Sequence, residues 1–472
     1  MNLAQSLLNA CERHPDAEAF PGLTYRELLP RVRRVAGGLA RLGVASGDRV
    51  ALVLDNRLET ALLYWAAQWL GAVAVPLSWR LAPAEVDYCL DDCGAAVVVR
   101  GEDALPEGPE HPGALDRDDG EISLILYTSG TTGKPKGVPR SHRADRAGGL
   151  SQALQHGYRP GDRTLGVMPL YHTMGIHSLV AMHVVGGCFV PQPRWDAGDA
   201  LRLIELERVT SLYLAPTLFH DLVEHPDLAL RDVSSVRALG YAGAAMTRAL
   251  VERCAAAFEP DAFVNHYGST EIYTFSVHRD QAAKPGCAGR ASMNAQLRLV
   301  RPEPDAGPDD VVPPGEEGEI VCGLDSDEAF VGYWNRPDAD AKAIRDGWYF
   351  TGDVGRLDEE GDLWVVGRVD DMIISGAENI HPLEVEEVLA RHPKVHEVAV
   401  VGAPDDRWGQ RVVAAVVAEA GTTADELDAH CLADATLARF KRPREYWFVE
   451  ELPKSASGKI LRRLLRAEGA AT

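Results

Sequence analysis

The stretch that most constrains the fold runs from Ile122 to Val138. An apolar run, Ile122-Ser123-Leu124-Ile125-Leu126, leads straight into Tyr127-Thr128-Ser129-Gly130-Thr131-Thr132-Gly133-Lys134-Pro135-Lys136-Gly137-Val138. The first part is rich in β-formers and reads as a buried strand. Glycines let backbone N–H groups turn inward without a Cβ clash, so the segment after the strand can wrap an anion. The hydroxyls and the ammonium groups of Lys134 and Lys136 add donors and positive charge. This is the chemistry of a loop closing over a polyphosphate. It is not the common P-loop, which needs Ser or Thr after its lysine, whereas Lys134 is followed by Pro135.

Around this loop, helix and strand signals alternate. Thr24 and Glu27 form a capping box that opens a helix ending near Gly43, with Pro30 placed awkwardly inside it. Arg49 to Leu54 reads as a strand, Leu58 to Leu70 as a helix closed by Gly71, and Ala72 to Val75 as a strand. A helix from Pro83 and a strand from Ala95 to Val99 follow. Beyond the loop, strands are expected at Thr164 to Met168, Ser211 to Leu214, Val236 to Leu239 and Ala262 to Asn265. Helices start near Gly175, Asp199, Thr217 and Thr247. This rhythm predicts parallel sheets covered by helices. From Gln296 the texture changes to short strands between Pro/Gly/acidic turns, and then to an α+β module with a basic helical tail. The expected fold is therefore α/β. A large N-terminal domain (1–369) of parallel, helix-covered sheets includes a β-rich subdomain from about 290, and a small α+β C-terminal domain (370–472) follows.

At 472 residues two or more domains are expected. Asp plus Glu outnumber Lys plus Arg by 70 to 48, a net charge of −22, which suits an enzyme of small molecules and argues against general nucleic-acid binding. The eight cysteines show no zinc spacing and read as reduced thiols. The N-terminus lacks a basic and apolar leader pattern, and no apolar run is long enough to span a bilayer. A cytoplasmic protein without membrane partners is expected, and a homodimer is compatible with the chain.

Three further motifs carry chemistry. Asn265-His266-Tyr267-Gly268-Ser269-Thr270-Glu271 follows a strand, at the end where ligands sit in open α/β sheets. An aromatic ring there can line an adenine or acyl site, Thr270 can bond a phosphate oxygen, and Glu271 can hold Mg²⁺. Trp348-Tyr349-Phe350-Thr351-Gly352-Asp353 ends in a carboxylate able to accept from both ribose hydroxyls. Pro453-Lys454-Ser455-Ala456-Ser457-Gly458-Lys459 sets a lysine on a small-residue loop, where a compact charge can stabilise a pentacoordinate phosphorus.

Together with the run Gly367-Arg368-Val369-Asp370 to His381-Pro382, these motifs resemble the adenylate-forming superfamily of acyl-CoA synthetases, adenylation domains and luciferases. The resemblance spans nearly the whole chain. It implies that a carboxylate attacks the α-phosphate of ATP, giving acyl-AMP and pyrophosphate, after which the C-terminal domain rotates and a thiol displaces AMP. It places Thr128, Ser129, Gly130, Thr131, Thr132, Gly133 and Lys134 on the phosphates, with Tyr267, Gly268 and Thr270 beside the nucleotide. Asp353 falls on the ribose and Arg368 on the ribose or a phosphate. Lys459, Glu271 and Thr128 are the expected catalytic residues, Glu271 the metal ligand, and Asp370 the hinge. ATP, Mg²⁺ and coenzyme A are the implied cofactors.

Met168-Pro169-Leu170-Tyr171-His172-Thr173-Met174-Gly175 resembles the start of the family's acyl pocket, with no acid between Thr164 and Gly187 to bind an α-ammonium. The runs Asp371 to His381, Asp406-Arg407-Trp408-Gly409-Gln410 and Phe440-Lys441-Arg442-Pro443 are similar to the 4-chlorobenzoate:CoA ligases and other benzoate:CoA ligases. The expected pocket comprises His172, Thr173, Met174, Ala242, Gly243, His266, Tyr267, Gly268, Tyr273 and Thr274. His266, Tyr273 and Thr274 make it polar, and buried polar groups need partners, so a hydroxy- or amino-benzoate is the expected acid. Gly376 and Ala377 would line the pantetheine channel and Trp408 would wall it. Arg442, Arg444 and Phe440 would clasp the CoA 3′-phosphate and adenine, and Arg80 would touch the phosphates. A stand-alone enzyme loading an aryl acid onto a carrier protein shares the core motifs and stays open. A kinase-type NTPase lacks its loop, and a non-catalytic binder is disfavoured by the intact Lys459 and Glu271.

Overall fold

A computed structural model describes residues 1–101, 103–128, 135–375, 378–405, 407–454 and 460–469. The phosphate-loop strand, Ile122–Thr128, sits inside a five-stranded sheet ordered Ala95–Arg100, Arg49–Val53, Val73–Pro76, Ile122–Thr128, Lys136–Ser141. The first four run parallel, and Lys136–Ser141 returns antiparallel with Thr128 opposite Lys136. A second, seven-stranded sheet is ordered Arg290–Ala291, Ser276–His278, Ala262–Tyr267, Ala238–Tyr241, Ser211–Leu214, Arg163–Gly166, Cys188–Pro191. Its last five strands are parallel, and Ser276–His278 pairs antiparallel with both of its neighbours. The expectation of parallel, helix-covered sheets holds for both, with antiparallel strands at one edge.

Helix Thr173–Val185 is buried on every side through His183. A helix apolar all round belongs between layers, and this one feeds both cores. Ile176, Leu179 and Val180 join the first sheet's cluster, and Met174 joins the second's. It packs on helix His142–Gln155, which is not among the helices expected from the sequence. Gly148 and Gly149 let the helices touch: a Cβ at Gly149 would lie 2.5 Å from Val180 Cγ1.

Helix Tyr25–Arg41 carries the expected Thr24/Glu27 capping box and continues unbroken past Pro30. Pro30 stands early in the helix, and the buried stripe Leu28, Val32, Val35, Leu39 holds the turns around the missing N–H. The β-rich part is an antiparallel sheet of Leu297–Val300, Glu317–Gly323, Trp348–Leu357, Ile344–Arg345 and Leu363–Arg368. The last unit combines Glu378–Ile380, Ile373–Ser375, Gly409–Ala418, Val395–Asp405 and Glu445–Phe448 with helices Pro382–Leu389 and Ala424–Ala433. It meets the rest of the chain through His381, whose Nε2 lies 2.8 Å from Glu317 Oε2, and through Glu387, which accepts from the Arg248 backbone at 3.2 Å. All eight cysteines are buried free thiols. Among the described residues no helix is long and apolar enough to cross a membrane.

Candidate active site

Parallel strands end together, so the residues after them share one edge. Leu214 pairs with Tyr241 and Tyr241 with Asn265. Ala242 and Gly243 therefore emerge beside His266 and Tyr267. There Tyr213, Ala242, Gly243, His266, Gly268, Ser269, Thr270 and Tyr273 line a cavity with His172, Thr173 and Met174. The turn Gly268–Tyr273 doubles back so closely that a Cβ at Gly268 would collide with the Tyr273 carbonyl. Thr274, expected in the lining, is fully buried behind it, and Tyr267 directs its hydroxyl elsewhere.

That hydroxyl donates to Asp353 Oδ2 at 2.7 Å, while Arg368 Nη1 donates to Oδ1 at 2.7 Å. Asp353 and Arg368 meet because their strands pair antiparallel with these two residues opposite. Gly352, at φ +72°, turns the backbone just before the carboxylate. The nearby Asp353 charge pushes the Arg368 guanidinium up, and burial, with Asp353, pushes the Tyr267 phenol well up. Tyr267 therefore stays a donor, and each oxygen of Asp353 is held by one of these two partners.

Glu271 is buried at the turn, and its Oε1 accepts from the Tyr333 hydroxyl at 2.7 Å. Phe330 N donates to its carbonyl at 2.7 Å. Lys136 Nζ sits 4.2 Å from the centre of the Tyr333 ring. Burial lowers the pKa of that amine, against the raising effect of Glu271. A buried carboxylate with an oxygen to spare suits a hard divalent cation. Tyr333 was not among the expected site residues, and Lys136 was expected only as a charge of the phosphate loop. Gly332-Tyr333-Trp334 after an apolar pair was the available signal, but nothing local ties it to Glu271, 62 positions earlier.

The acid-side wall mixes Met174 and Ala242 with a linked set of polar groups. His156 Nε2 and His266 Nδ1 are 3.1 Å apart, and His266 Nε2 donates to the Tyr273 carbonyl at 3.3 Å. The Tyr273 hydroxyl bonds Gln152 Oε1 at 2.7 Å and the Tyr213 hydroxyl at 3.2 Å. Burial pushes His266 down to about 3 and His156 well below its ordinary value, so both are neutral near pH 7. His172 caps helix Thr173–Val185 through Nδ1, which accepts from Met174 N at 3.3 Å.

Thr128 ends its strand with Oγ1 donating to the Lys136 carbonyl at 3.4 Å. Ser129, Gly130, Thr131, Thr132, Gly133, Lys134, Gly376, Ala377 and Lys459 lie outside the described residues. Asp370 falls in the short 3₁₀ turn Val369–Asp371, between the β-rich sheet and the last unit. Trp408 and Phe440 are exposed. Arg444 and Arg80 are exposed as well, with Arg80 over the Trp79 ring at 5.0 Å. Arg442 is engaged by Asp428 at 2.7 Å. Among the described residues the one cluster of metal-ligand type is His278, Cys287 and Asp362. Asp362 is already bound by Lys284 at 2.6 Å and Arg290 at 2.9 Å, and His278 Nδ1 accepts from Gln281.

The profile of the AMP-binding enzymes matches residues 7–334, and that of the AMP-binding enzyme C-terminal domain matches 384–459. The chain belongs to the AMP-binding enzyme family. This AMP-binding enzyme is 36% identical to a 4-chlorobenzoate–CoA ligase of Arthrobacter sp., over 96% of its length and 91% of that protein. It is 35% identical to the long-chain-fatty-acid–CoA ligase FadD13 of Mycobacterium tuberculosis, over 95% and 94%. The structure of the anthranilate CoA ligase AuaEII with anthranoyl-AMP superposes with a TM-score of 0.90 at 28% identity, over 100% and 98% of the chains. The AMP-binding enzyme is an AMP-forming acid–CoA ligase that uses ATP, Mg²⁺ and CoA. Mg²⁺, when bound, neutralises phosphate charge, and Glu271 is the residue suited to hold it.

Proposed function

We propose that this enzyme is an aryl carboxylate:CoA ligase whose acid is a benzoate bearing a polar substituent such as hydroxy or amino. The observation that carries the reading is the chemistry of the cavity wall. Tyr213, Tyr273 and His266 offer ring faces and polar edges, and among the described residues no charged side chain lines the cavity. An amino acid's ammonium would find no carboxylate there. The space is about 30 Å³, room for about two water-sized groups. Any acid, a benzoate included, enters only after part of this lining shifts.

In this reading residues 1–369 bind ATP and acid, and residues 370–472 swing about Asp370 between the two half-reactions. Asp353, oriented by Tyr267 and Arg368, takes the ribose. Thr128 and 129–134 hold the phosphates, joined by Thr270. Lys459 supports the first step only. Arg80, Arg442, Arg444, Phe440, Trp408, Gly376 and Ala377 receive CoA, with Arg442 exchanging Asp428 for a phosphate.

The test is acid-dependent pyrophosphate release with Mg-ATP over substituted benzoates, cinnamates and fatty acids, with and without CoA. Multiple turnovers with CoA on hydroxy- or amino-benzoates are expected. A higher kcat/KM for 4-chlorobenzoate or a fatty acid than for every hydroxy- and amino-benzoate overturns the substrate reading. A single burst that CoA fails to release points to a carrier-protein acceptor instead.

A further inference from the structure

Beneath the turn that carries Thr270 and Tyr273 lies a charged cluster that no substrate reaches. Arg140, Asp145 and His177 are all fully buried. Arg140, on the strand returning from the phosphate loop, donates from Nε to Asp145 Oδ1 at 2.6 Å. Its Nη1 donates to the Thr270 carbonyl at 2.8 Å. Asp145 Oδ2 accepts from Ser123 Oγ at 3.2 Å, on the strand entering the loop. His177 Nε2 lies 3.5 Å from Asp145 Oδ1, and Nδ1 donates to the Thr173 carbonyl at 2.9 Å. The His177 ring stacks on Tyr273, with centroids 3.7 Å apart and planes 15° apart. Gly148 makes room, since a Cβ there would lie 2.7 Å from His177 Nε2. Burial raises the Asp145 carboxyl, yet Arg140 and His177 outweigh it and hold the group below its usual range.

A buried ion pair of this kind rarely outperforms well-packed apolar side chains in stability. What it does supply is direction. One carboxylate fixes a guanidinium that grips one end of the turn, and the imidazole packed beside it, 3.5 Å away without a hydrogen bond at Nε2, stacks under the other. The strands on either side of the phosphate loop are tied to the same group.

We propose that Arg140, Asp145 and His177 form a positioning hub that holds the Thr270 carbonyl and the Tyr273 ring in one fixed relation to the phosphate-loop strands. It thereby sets the approach of the acid to the α-phosphate. The kinetic part of this inference rests on the ligase reading above, and the structural part does not.

The test uses the full-length protein and two variants. His177→Phe keeps an aromatic ring on Tyr273 and breaks the link to Asp145, and it leaves no new buried charge. Asp145→Asn removes the hub's centre. Hydrogen exchange is read at Ser269 and Phe275, whose amides bond within the turn to Ile272 O and Tyr267 O at 2.9 Å. At least tenfold faster exchange there, with strand Ala238–Tyr241 unchanged, is expected in His177→Phe. In the pyrophosphate assay the same variant should lose about tenfold in kcat, while KM for ATP stays within about threefold. Asp145→Asn, which also leaves Arg140 without its carboxylate, should lose at least as much, and the double variant should be no worse than Asp145→Asn alone. Turn exchange equal to that of the wild type in folded His177→Phe overturns the hub, as does exchange that rises equally throughout. Should the wild type release no pyrophosphate with any acid, the ligase reading fails, and exchange at the turn still decides the hub.

Discussion

Replacing Tyr267 by Phe tests whether the nucleotide side is built as its geometry suggests. The substitution keeps the ring, which packs against Phe275 at 5.1 Å between centroids, and deletes one hydroxyl. That hydroxyl donates to Asp353 Oδ2 at 2.7 Å, a bond to a charged acceptor. Such bonds contribute about 1.5–3 kcal/mol, and each 1.4 kcal/mol is about tenfold in affinity. Asp353 keeps Arg368 on its other oxygen at 2.7 Å, so the lower end of the range applies. KM for ATP should rise about tenfold with kcat within about threefold, measured by pyrophosphate release at saturating acid. A control isolates the cause: if Tyr267 acts by orienting Asp353 toward the ribose, the wild type's preference for ATP over 3′-deoxy-ATP should shrink in the variant. An unchanged KM, or an equal penalty on both nucleotides, would refute the reasoning.

Tyr333→Phe frees Glu271 Oε1 of its 2.7 Å donor. The Mg²⁺ concentration for half-maximal rate should shift severalfold, and no shift in a metal titration would exclude Tyr333 from orienting this carboxylate. Gly268→Ala drives a Cβ into the Tyr273 carbonyl. Overpacking of this sort costs about 1–3 kcal/mol, so both melting temperature and kcat/KM for the acid should fall, as calorimetry and the pyrophosphate assay would show. Burial lowers His142 to about 4 and His183 and His266 to about 3, from 6.5. Below pH 6.5 the unfolded chain takes up protons that the folded one refuses, so stability is full above that pH and falls toward pH 4. Each histidine loses up to about 1.4 kcal/mol per pH unit in that window. Calorimetry from pH 7.5 to 4.5 should show a steep fall beginning near 6.5, and a flat profile would count against three neutral buried imidazoles.

Element order was legible wherever local signals agree. Leu58–Leu70 ends at Gly71 as expected because Gly71 adopts φ +76°, which disfavours other residues. Strands Lys136–Ser141 and Cys188–Pro191 escaped notice. The first lies within the loop motif, and the second is only four residues, running from just after Gly187 to Pro191, too short for periodicity to register. Trp348–Leu357 was read for its terminal motif carboxylate, although it is a ten-residue strand.

The chain by itself determined the family, the order of its motifs and the chemical types gathered at the strand ends, because each is written in contiguous residues whose spacing has a local physical meaning. Only the tertiary structure decided which side chains complete them. Tyr333 reaches Glu271, Arg140 grips Thr270, and His177 stacks under Tyr273 across separations that no local pattern encodes. These pairings arise when two sheets close on a shared helix layer. Each buried polar group must then find a partner among whatever side chains packing has brought near.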